Sequence, residues 1–70
     1  MANTYTAIMK KDGDWWIGWI EEVPGVNCQE RTRDGLVETL SITLKEALRF
    51  NREEAVSAAA SDYIEEPLVV

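Results

Sequence analysis

The side chains best suited to chemistry in this chain are four carboxylates, Asp12, Asp14, Glu21 and Glu22, and one thiol, Cys28. Carboxylates serve a divalent cation only when several converge, because a hard cation is held by surrounding oxygens and a two-metal clamp must reach both sides of a phosphate. Asp12 and Asp14 fall in a turn. Glu21 and Glu22 are adjacent at the exit of a strand and so point to opposite sides. All four are expected to be solvated charges that hold no metal. Cys28 has no histidine base, since the chain contains no histidine, so a Cys-His nucleophile is excluded within one chain and Cys28 reads as a small strand residue. Ser41, Ser57 and Ser61 lack a base for the same reason. General acid–base work would need a carboxylate or lysine with a shifted pKa in a pocket, and 70 residues leave little room to build one. The expectation is a protein with no catalytic residue, no metal and no cofactor.

Binding is better supplied. Trp15, Trp16 and Trp19 crowd into one short run, between a Lys11-Asp12-Gly13-Asp14 turn and a Pro24-Gly25 turn. Residues 5–10 and 15–20 are β-rich, and Asp-Gly between such runs signals a hairpin. With Asp12 and Gly13 at its centre, Met9 faces Trp16 and Ile8 faces Ile17. Side-chain alternation then puts Tyr5, Ala7, Met9, Trp16, Gly18 and Ile20 on one face and Thr6, Ile8, Trp15, Ile17 and Trp19 on the other. Both faces are apolar, so both are expected to be covered, one by the protein's own helix and the other by a partner or a second copy. Ile8, Trp15, Ile17 and Trp19 are therefore the expected interface residues. A base-stacking platform is disfavoured, because such platforms lie in basic grooves and this hairpin sets four carboxylates against Lys10 and Lys11.

The remaining elements position that hairpin. Pro24 pre-sets the first corner of a turn and Gly25 supplies the permissive second corner, so the chain reverses and residues 26–31 add a third strand. Thr32 is a good helix N-cap. After it Leu36, Val37, Leu40, Leu44, Ala47 and Leu48 recur at helical spacing, and no Gly or Pro stops the helix before Ser61. Gly35 in the first turn costs roughly 1 kcal/mol relative to Ala. Residues 63–70 are β-prone again, and Pro67 confines them to an edge or a bulge. The arginines, Arg31, Arg33, Arg49 and Arg52, are expected to pair with nearby acids on the surface, where each pair contributes little.

The order β-β-β-α-β makes a single α+β domain over residues 1–70, an antiparallel sheet with one long helix on one face. That length is near the lower limit for an unaided core, so a homo-oligomer, a dimer or larger, is expected. One cysteine excludes an internal disulfide, and with no basic-then-apolar leader and no bilayer-length apolar run the expected location is the cytoplasm, with no membrane partner. The formal net charge of -6 disfavours phosphate binding and suits capture of a basic partner.

The opening Tyr5-Thr6-Ala7-Ile8, the Asp12-Gly13-Asp14-Trp15-Trp16 hairpin, the Glu22-Val23-Pro24-Gly25 turn, Gln29, Thr32 and the helix from Leu36 to Leu48 together resemble the HicB antitoxin family. The chain departs from the family at Glu30, where a small residue is usual, and at Val26, where Cys is common. The resemblance covers nearly the whole chain. It implies a reduced ribonuclease H-like fold without the catalytic carboxylates. It also implies a function, neutralising a small basic HicA-type mRNA interferase by covering its catalytic histidine and RNA-binding surface. The alternative is a stand-alone oligomeric HicB-like scaffold with no toxin partner. Many HicB proteins carry a C-terminal DNA-binding domain; a chain ending at Val70 leaves no room for one, so direct DNA binding is not expected.

Overall fold

The hairpin turns on Gly13. In the computed structural model, which describes residues 4–70, Gly13 has φ 62° while Asp14 stays out of the positive-φ region, the pattern of a two-residue type II′ turn. Strands β1 (Ala7–Asp12) and β2 (Trp15–Ile20) pair antiparallel with Asp12 opposite Trp15, Lys10 opposite Ile17 and Ile8 opposite Trp19. This corrects the register read from the sequence by two residues: Met9 faces Gly18 rather than Trp16. The first corner of such a turn demands positive φ, which glycine adopts freely and aspartate does not, so the loop centres on Gly13-Asp14. An even shift leaves every side chain on its expected face.

A turn with Gly25 at φ 93° leads into β3 (Asn27–Glu30), where Ile20 N–H donates to Val26 O at 3.3 Å. Cys28 lies opposite Gly18 and Glu30 opposite Trp16, giving a three-stranded sheet of order β1-β2-β3. Helix α1 (Arg33–Ala59) follows, its first turn capped by Thr32 Oγ1, which accepts from Gly35 N–H at 3.0 Å. The helix lies on the face that holds Met9, Trp16, Gly18, Ile20 and Cys28. Gly18 is the notch that admits it: a Cβ there would stand 3.0 Å from Leu36 Cδ2, 3.1 Å from Leu40 Cδ1 and 2.9 Å from Ile8 O. Ile20, Val23, Val26, Leu36 and Leu40 form the buried core, with Leu44, Ala47 and Leu48 half-buried beside it. Val37, expected in the apolar stripe, is exposed because it lies one residue, about 100° of helical turn, round from Leu36.

From Arg49 to Ala59 every residue except Val56 is exposed, so the helix outruns the sheet. The molecule is correspondingly long, 51 × 23 × 15 Å, with a radius of gyration of 15.2 Å against about 11 Å for a compact chain of this size. The expected final strand over residues 63–70 does not form. Ala60 (φ 63°) and Asp62 (φ 58°) end the helix and redirect the chain, Arg52 holds Glu65 at 3.4 Å beside the helix, and Pro67 brings no N–H to a ladder. The described elements are thus β1-β2-β3-α1, an α+β arrangement. The first three positions of the expected domain lie outside the described residues. No helix among those described is long and apolar enough to cross a membrane.

Candidate interaction surface on the open sheet face

Strand alternation puts Ile8 and Lys10 of β1, Trp15, Ile17 and Trp19 of β2, and Asn27 and Gln29 of β3 on the face opposite the helix. No described element covers it. Trp15 is 36% and Trp19 37% exposed, with Ile8 at 36%. Ile8 and Trp19 are cross-strand partners, so the four residues expected at an interface form one contiguous apolar strip. A shallow depression of about 310 Å³ opens beside them over β2 and β3, lined by Ile17, Trp19, Asn27 and Gln29 with Gly18 and Cys28 at its floor.

Arg31 completes the surface. Its guanidinium carbon stands 4.1 Å from the centroid of the Trp15 ring, a cation–π stack that fixes the ring and leaves a positive charge at the strip's edge. Arg31 was expected in a surface ion pair; its approach to Trp15 follows instead from the β2–β3 offset. The other arginines do pair with acids, Arg33 with Asp34, Arg49 with Glu53 and Arg52 with Glu65, all on exposed side chains.

The four carboxylates divide between the two ends of the hairpin, Asp12 and Asp14 at its turn, Glu21 and Glu22 at its open end. Glu22 fastens that open end. Its Oε1 accepts the Thr6 N–H at 2.7 Å, and that backbone bond holds its carboxyl below the usual glutamate range. Nothing in the local sequence signals this contact across 16 positions. Among the described residues no group of three or more His, Cys, Asp or Glu side chains is placed to hold a metal ion. Cys28 Sγ, half-buried, donates to Thr43 Oγ1 at 3.5 Å, and Thr39 Oγ1 donates to Glu30 Oε2 at 2.9 Å, so both tie β3 to the helix. No family model, curated protein or solved structure matches the chain.

Proposed function

We propose that the chain is a protein-binding module with no chemistry of its own, that the open sheet face is its contact surface, and that it acts as a HicB-type antitoxin, covering a small basic HicA-type ribonuclease. The observation that carries this reading is the strip of Ile8, Trp15 and Trp19, each a little over a third exposed, around a half-buried Ile17, on a face that no described element covers. Large aromatic side chains at the centre of a patch are where association energy concentrates. Charge supports the sign of the partner. The net charge is -6, and carboxylates stand at both ends of the hairpin, so a basic protein is drawn toward either rim. The resemblance of the hairpin, turn and helix to HicB antitoxins supports the kind of partner.

Lys10, Asp12 and Arg31 favour a second reading. A face that carries both signs also complements a copy of itself about a two-fold axis, and the strip is then the self-association surface of an oligomeric scaffold. Co-expression with a HicA-type toxin tests the first reading: the wild type restores growth, and folded Trp15→Ala and Trp19→Ala variants do not. Equal rescue by both variants, with unchanged oligomeric mass, refutes the surface under either reading. Salt separates the two, since contact with a basic toxin associates more slowly as ionic strength rises and a tryptophan-centred self-contact barely responds.

A further inference from the structure

We propose that two copies of the chain exchange their C-terminal segments, residues 63–70 of each adding to the β1 edge of the other. The segment has the composition of a strand and the surroundings of none: Ile64, Leu68, Val69 and Val70 are almost fully exposed, and no ladder bond is made. An open edge is available for it. Asp12 and Trp15 close the two-residue hairpin, so the N–H and C=O groups of Asp12, Lys10 and Ile8 point to β2, while those of Lys11, Met9 and Ala7 point outward from an edge strand. The bond from Glu21 N–H to Thr6 O at 2.9 Å continues the same alternation.

Charge and reach name the occupant. β1 carries Lys10 and Lys11 against the single acid Asp12 at its turn end, and the segment carries Glu65 and Glu66 with no basic residue, so edge and segment differ in the sign of their net charge and attract each other. Its own sheet is poorly placed to receive it. The Arg52–Glu65 pair sets Glu65 level with the projecting part of the helix, about 6 Å beyond Leu48, the last helix residue against the core. At roughly 3.3 Å per residue the chain draws level with Leu48 only near Pro67, so residues 63–66 lie out beside the projecting helix, short of their own sheet. A second copy can offer its edge to the whole segment. The surface agrees: the chain exposes 5918 Å², about 1,500 Å² more than a compact protein of 7.9 kDa, whereas a standard interface takes about 800 Å² from each partner.

The exchange needs self-association but not the open face as its surface, and the experiment keeps the two apart. Light scattering and amide hydrogen exchange are measured on the wild type, on a Leu68→Pro/Val69→Pro variant and on Trp19→Ala, with circular dichroism to confirm folding. The substituted prolines touch nothing in their own fold. The wild type is expected at twice the single-chain mass of 7.9 kDa, with Met9 and Lys11 amides exchanging about ten-fold or more slower than in the proline variant, which is monomeric. A monomeric wild type overturns the exchange, even with its edge amides protected. So does a proline variant that stays dimeric with unchanged exchange at Met9 and Lys11. Loss of the dimer in Trp19→Ala alone overturns the exchange and leaves the open-face contact standing.

Discussion

The two faces of this sheet come from the same strands and are both apolar, yet the helix lies on the face with fewer tryptophans. The covered face holds Gly18 at its centre with Met9, Ile20 and Cys28 around it, and Leu36 and Leu40 descend into the space a side chain at position 18 would occupy. The open face has Ile17 half-buried between exposed Trp15 and Trp19, with a shallow depression over β2 and β3 in place of a notch that admits two leucines. Shape complementarity, more than the amount of apolar surface, decides which side becomes the core. The side with more aromatic area is left uncovered by any described element.

The comparison breaks most directly at the notch. Leu40→Ala removes a side chain that is 1% exposed from the centre of a small core, and a loss of about 3 kcal/mol is expected in urea unfolding. Gly18→Ala forces a Cβ to within 3.1 Å of both leucines and 2.9 Å of the Ile8 carbonyl, with an expected loss of about 1 to 3 kcal/mol. If either variant unfolds at the wild-type urea concentration, the helix is not seated as described. On the open face the effect moves from folding to association. Trp19→Ala is expected to cost roughly 2 kcal/mol or more of binding or self-association, measured by titration or dilution, and far less of folding. A Trp19→Ala variant that loses as much folding stability as Leu40→Ala erases the distinction between the faces.

Much of this contrast was legible from local signals. Period-two alternation assigned each hairpin side chain to a face, and an error of two in the register did no harm because it preserves parity. Thr32 and Pro24-Gly25 carry their own turn and cap chemistry, so they sit where local rules put them. Long-range placement was not legible. Arg31 over Trp15 depends on the offset between β2 and β3, Glu22 on Thr6 joins the hairpin's open end, and the fate of residues 63–70 depends on whether an edge is within reach. Strand propensity names a segment that wants a partner and says nothing of where the partner is.

Two smaller effects sharpen the comparison away from either face. Thr32→Ala leaves the Gly35 N–H without its side-chain acceptor in a helix whose first turn also carries a costly glycine, so a loss of about 1 kcal/mol is expected. Thr32→Ser, which keeps the hydroxyl, should recover most of it; a serine variant as weak as the alanine one would assign the effect to the lost methyl group instead. The smallest effect is a pH dependence at Glu22. Its carboxyl titrates lower in the folded chain because the anion accepts the Thr6 N–H, so its contribution is fully present above the unfolded glutamate range and is lost as pH falls through the lowered folded value. The group is exposed, which keeps the contribution small. Glu22→Gln retains an acceptor oxygen without the charge. From about pH 6 to pH 3 the wild type is therefore expected to lose slightly more stability than Glu22→Gln, and the two urea midpoints should converge at the acid end. Midpoints that stay a constant distance apart across that range would show that the Thr6 contact does not depend on the charge.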